Sequence, residues 1–231
     1  MIYAISDLHL SLGGDKPMDI FGSIWKDHHL KLQENWSKSV KDDDVVIIGG
    51  DISWAMRLEE TRADFNFIHQ LPGKKILFRG NHDYWWQSYS KIKKVLPPSM
   101  QAVQNNYISY QDRIALCGTR GWTVPGGENY TEQDEKIYQR ELIRLRLSLT
   151  AAQKDGFNEF IVTLHYPPLT SRGENTGFTA IMQEFGVRIC LYGHLHGVDQ
   201  QRVFQGEKKG INYYFTAADF LNFNPLLILA D

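Results

Sequence analysis

Behind five separate apolar runs of this 231-residue chain stand aspartate, asparagine and histidine. Asp7-Leu8-His9 follows Ile2 to Ile5, and Gly49-Gly50-Asp51 follows Val45 to Ile48. Gly80-Asn81-His82-Asp83 follows Ile76 to Phe78, His165 follows Phe160 to Leu164, and Gly193-His194-Leu195-His196 follows Val187 to Tyr192. Leaving Asp83 aside, two Asp, one Asn and five of the eight His form an oxygen and imidazole donor set without thiolate. Such donors suit Mn, Fe, Zn, Co or Ni better than Ca or Mg. The set is larger than one ion takes from protein alone. Two divalent ions a few ångströms apart, sharing one bridging carboxylate, account for it better. Taken singly, Asp7 and His9 read equally as a turn at a strand end, Asn81 as a turn residue and His165 as a loop histidine. The recurrence of the pattern after five runs is what points to a shared site.

These residues need a frame that gathers them. The five runs are rich in Ile, Val, Leu and Phe without alternation, as in strands buried on both faces of a sheet. Trp25, His29, Leu32 and Trp36 recur at helical spacing between the first two, with His28 facing solvent. Leu58 to Leu71, ended by Pro72-Gly73, supplies a helix between the next two. Strand alternating with helix predicts an α/β fold, and ligands of such sheets gather at the carboxyl ends of the strands. Gly50, Gly80 and Gly193 permit sharp turns there.

Further on, Tyr107 to Tyr110 and Ile114 to Cys117 read as a hairpin around Gln111-Asp112-Arg113. Thr131 caps a helix whose stripe is Tyr138, Leu142, Leu145 and Leu149, ending at Gly156 with a break near Thr150. Runs at 202–204, 213–216 and 226–229 predict a second, antiparallel part of the β structure. Without a linker or repeat, one domain over 1–231 is expected.

With these motifs in this order, the sequence resembles the calcineurin-like metallophosphoesterase superfamily. The resemblance spans residues 7 to 196. It implies a four-layer αββα sandwich with mixed sheets. It also implies hydrolysis of a phosphoester, monoester or diester, by in-line attack of a metal-bridging hydroxide. Carried over by position, Asp7, His9, Asp51 and His196 hold the first ion; Asp51, Asn81, His165 and His194 hold the second, with Asp51 bridging. His82 faces the phosphate, oriented by Asp83, as the catalytic pair. Two divalent ions against the Asp7 and Asp51 carboxylates leave about +2 to polarise water and neutralise phosphate oxygens.

One departure matters. Many members of the superfamily carry Asp and Arg three and four positions after the bridging aspartate, where this chain has Trp54 and Ala55. An arginine that would grip phosphate is therefore absent from its usual place. Arg120 and Arg172 are the candidate substrate-binding replacements, with Arg57 and Arg79 as further possibilities. Trp54, Tyr84, Trp85 and Trp86 either stack a planar group or pack as a hydrophobic cap.

The composition bounds the substrate. With 25 basic and 27 acidic side chains the formal charge is −2, which argues against a long nucleic acid. A small phosphoester, nucleotide-like in one version, is the expected substrate, and loops 118–130 and 166–178 are the candidate capping segments. Two cysteines and the absence of a signal-like start favour the cytoplasm. No run approaches the roughly 20 apolar residues of a membrane span. A non-catalytic scaffold of the same fold is the alternative. The intact ligand set argues against it.

Overall fold

In the computed structural model the first three apolar runs become β1 (Ile2–Ile5), β2 (Val45–Ile48) and β3 (Lys74–Leu77). Residues 1–14, 16–126, 130–199 and 203–230 are described. The chain forms two compact units, Met1–Ala102 with Thr216–Asp231, and Val103–Phe215. Each holds one mixed sheet flanked by helices, so the architecture is mixed α/β.

The first unit carries a sheet ordered β11-β1-β2-β3-β4, with β4 at Met100–Ala102 and β11 at Leu226–Leu229. β1 to β4 run parallel, while β11 pairs antiparallel with β1 at the edge. Every residue of β1 and β2 is buried, which is why those segments show no polar alternation. Helix α1 (His28–Ser39) presents His28, Leu32 and Trp36 to the core. The stripe thus runs through His28, and His29 is half-buried, the reverse of the expected order. Successive positions 28, 32 and 36 lie four apart on one face, and the His28 ring nitrogens sit 3.1 Å from the Trp25 and Leu8 carbonyls. Burial lowers the pKa of His28. Trp36 is fully buried and donates to the Pro72 carbonyl at 2.9 Å. The segment from Leu58 begins as a 3-10 turn and becomes α2 (Arg62–Gln70), which stops before Pro72 and the left-handed Gly73.

The second unit carries a sheet ordered β5-β6-β7-β8-β10-β9. Its strands are β5 (Ile108–Tyr110), β6 (Ile114–Thr119), β7 (Glu159–Leu164), β8 (Ile189–Tyr192), β9 (Gly206–Lys208) and β10 (Ile211–Phe215). The expected hairpin is β5–β6, and Gln111 and Asp112 supply the positive φ that glycine would otherwise provide. β6, β7, β8 and β10 are parallel, and β5 and β9 close the edges antiparallel. The capped helix is α4 (Glu132–Lys154), with Thr131 and Asp134 forming a reciprocal capping box. It runs unbroken through Thr150. Two shorter helices, α3 (Tyr89–Lys93) in the first unit and α5 (Gly177–Glu184) in the second, complete the fold.

Of the run expected at 202–204, Arg202 lies outside the described residues, and Val203 and Phe204 form no strand. The Phe204 carbonyl is taken by the Tyr192 hydroxyl at 2.6 Å instead of by a ladder partner. The five apolar runs divide three and two between the sheets. Among the described residues no helix is long and apolar enough to cross a membrane.

Candidate functional site

In the first unit the chain beyond β1 runs beside the chain beyond β2. The amides of Asp7, His9 and Leu10 donate to the carbonyls of Gly50, Asp51 and Ile52 at 2.8, 2.9 and 3.0 Å. Along this pair Asp7, His9 and Asp51 all adopt positive φ, 60°, 46° and 50°, and Gly50 sits at 100°. Left-handed backbone at a non-glycine residue costs about 1–3 kcal/mol and persists where the surroundings over-determine it. The cross-segment hydrogen bonds do so here. All three residues are at most 2% exposed, and the Ser6 hydroxyl donates to the Asp7 carboxylate at 2.5 Å. His9 Nε2 lies 3.7 Å from Asp51 Oδ2.

The turn after β3 closes on the same residues. The His82 amide donates to Asp51 Oδ1 at 2.8 Å. The fully buried Asp83 carboxylate accepts from the amides of Asp51 (2.9 Å), Ile52 (2.8 Å), Ser53 (3.3 Å) and Gly80 (2.7 Å), and from the Trp85 indole (3.1 Å). Asp83 therefore clamps the Asp51 loop to the Gly80–Asp83 turn, and Asn81 and His82 stay partly exposed within that turn. The indole of Trp54 stacks on the His9 ring at 4.8 Å and 25°, with the His82 ring 4.6 Å away. Lys16 Nζ lies 3.2 Å over the same indole. Arg57 is exposed and Arg79 half-buried.

In the second unit His165 follows β7 and is fully buried, its amide bonded to the Arg120 carbonyl at 2.9 Å. Its carbonyl accepts from the Gly193 amide at 3.0 Å, which fixes the turn after β8. His194 follows with φ 76°, and its Nδ1 stands 3.3 Å from His165 Nε2. Tyr166 covers His194, ring centroids 4.0 Å apart. His196 is exposed. Arg120 is committed on both sides, 3.6 Å from the fully buried Glu141 carboxylate and 4.4 Å over the Trp122 ring. Arg172 is exposed.

The donor chemistry fits divalent metal. Two ligand atoms about 2.1 Å from one ion at a tetrahedral angle stand about 3.4 Å apart, close to the His9–Asp51 and His165–His194 separations. Carboxylate and imidazole donors at this spacing are what a hard-to-borderline ion requires.

The family of calcineurin-like phosphoesterases matches over residues 1–198. The chain belongs to that family. The structure of a phosphopantetheinyl hydrolase (PptH) from Mycobacterium tuberculosis superposes with a TM-score of 0.59, at 14% identity over 98% of this chain and 95% of that one. TT1561 of Thermus thermophilus gives a TM-score of 0.54, at 14% identity over 84% and 80%. Both share the fold. The gene 66 protein of Mycobacterium phage D29 is 39% identical over 85 residues, 36% of this chain and 40% of that relative's length.

In this calcineurin-like phosphoesterase, Trp54 packs on the imidazoles of His9 and His82. Three supporting residues carry no sequence signal. Ser6 donates to Asp7, Tyr166 stacks on His194, and Ser53, whose hydroxyl donates to Asp64 at 2.5 Å, anchors the loop after Asp51 to α2. Only adjacency to a candidate ligand could have flagged the first two.

Proposed function

We propose that this chain is a phosphohydrolase that uses two divalent transition-metal ions to cleave a small phosphoester. Asp7, His9, Asp51, Asn81, His165, His194 and His196 are the proposed ligands, within one functional domain over residues 1–231. When bound, such ions lower the pKa of water and neutralise phosphate oxygens. The observation that carries the reading is the two ligand-spaced donor pairs, the buried His9–Asp51 and the His165–His194 pair with His165 buried and His194 half-buried, held on left-handed backbone at Asp51, His9 and His194.

The chain's own residues supply the rest. His82 is the proposed general acid, holding a proton on its imidazole and passing it to the leaving oxygen as the phosphorus–oxygen bond breaks. Water adds to phosphorus, and alcohol and phosphate are the products. Asp83 positions His82 by fixing the turn that carries it. Arg172 is the proposed phosphate contact. Arg120 is proposed to act there as well, from its place against Glu141.

Hydrolysis of an aryl phosphate and of its diester analogue with added Mn²⁺ tests the proposal. Turnover of either, dependent on the metal, is expected. A protein that binds two ions and cleaves neither ester would instead be the non-catalytic scaffold.

A further inference from the structure

The second unit contains a cavity of about 480 Å³, within the size range of pockets that bury small organic ligands. The two loops expected to flank the site build most of it, Trp122 to Val124 from one and Tyr166 to Gly173 from the other. His194 is in its wall. We propose that this cavity receives the organic group of the phosphoester, and that this group is an uncharged, ring-bearing apolar one. The inference rests on the phosphohydrolase reading, because His194 is one of the proposed metal ligands.

Chemistry of the wall favours that occupant. Trp122, Val124, Tyr166, Leu195, Val203 and Phe204 line it, and among the described residues it contains no carboxylate. A cationic group would find no counter-charge there, and beyond the hydroxyls of Thr123, Thr170 and Ser171 a polyol would face mostly ring and aliphatic carbon, at a cost of about 1–3 kcal/mol for each hydroxyl left unpaired. Among the described residues of the lining, Arg172 is the one lysine or arginine, and it matches phosphoryl oxygens. A second copy or a protein segment is the wrong shape for a concave site that ends on a metal ligand.

The walls are also set in advance. The Trp122 indole donates to Asp134 at 3.0 Å while Arg120 covers its face, and the Tyr192 hydroxyl holds the Phe204 carbonyl. Across the cavity the Thr176 hydroxyl holds the Pro168 carbonyl at 2.6 Å, and Lys208 holds that of Gly173. A preformed apolar pocket spends little on ordering its ligand site, so selectivity should appear in binding.

The test compares esters with the same kind of leaving group, 2-(2-naphthyl)ethyl phosphate and ethyl phosphate, on the metal-loaded full chain. The expected ratio of kcat/KM is at least about tenfold in favour of the naphthyl ester, falling to near unity in Val124→Trp, which fills the cavity. Because the ratio is internal to each protein, partial loss of folded enzyme does not alter it. Saturation-transfer NMR with 2-(2-naphthyl)ethanol on metal-free protein gives a second readout, with ring signals expected in wild type and lost in the variant. Equal kcat/KM for the two esters, with no transfer to the alcohol, overturns the cavity assignment and leaves the hydrolase reading intact. Failure to cleave either ester with both ions bound overturns the hydrolase reading itself.

Discussion

Gly80 lies so close to Asp51 that a Cβ added there would stand 2.8 Å from the Asp51 carboxylate carbon and closer still to its Oδ1 and amide nitrogen. Backbone cannot move aside as a side-chain tip can, and Asp51 is the proposed bridging ligand. Gly80→Ala should therefore lower affinity for both ions by about tenfold or more, the scale seen when ligand supports are lost. Metal titration by calorimetry reads this directly, and wild-type affinity in the variant would refute it.

Asp83 is a support of a different kind. Four backbone amides and an indole converge on its carboxylate, and Asp83→Asn would turn an amide donor toward some of them. Buried donors left unpaired each cost about 1–3 kcal/mol. A loss of about 3 kcal/mol or more in urea unfolding of the metal-free protein is expected.

His82→Ala should leave metal content close to wild type while turnover drops by about 10²-fold. Metal analysis alongside steady-state kinetics distinguishes the roles. Equal loss of metal would make His82 a ligand.

Lys75 in β3 is fully buried, its ammonium donating to the Leu71 carbonyl, and burial lowers its pKa to about 8 while Asp42 opposes the shift. Between about 8 and the ordinary value of 10.5 the unfolded chain holds a proton that the folded one has released, so wild-type stability rises with pH across that window and the penalty is complete below it. Lys75→Met removes this slope. The stability of the variant relative to wild type should fall from pH 8 to 10.5 and stay level below pH 8, as followed by denaturant melts.

Much of this was legible in the residues. β1, β2 and β11 coincide with apolar runs because strands buried on both faces, or pressed on one edge, leave an uninterrupted hydrophobic signature. The edge strands β4 and β9 are three residues long and partly exposed, so neither length nor pattern marks them. The order of the motifs proposed to hold metal is written in the chain. The clamp is not, since Asp83 beside His82 reads as a partner of its neighbour, whereas its donors include amides about thirty residues away. His28 and His29 show the same limit at short range, where adjacent identical residues leave the helix phase open by one position.

The pairing of β1 with β11 sets an order of events in synthesis. Ser6, next to the proposed ligand Asp7, exchanges backbone hydrogen bonds with Thr216 and Ala218, and Ile2 pairs with Leu229. The segment around Asp7 thus waits for residues more than 200 positions later before its edge of the sheet can close. If Asp7 and His9 hold metal as proposed, both would be unfastened until residues 216–229 have been made, and tight capture would follow that pairing.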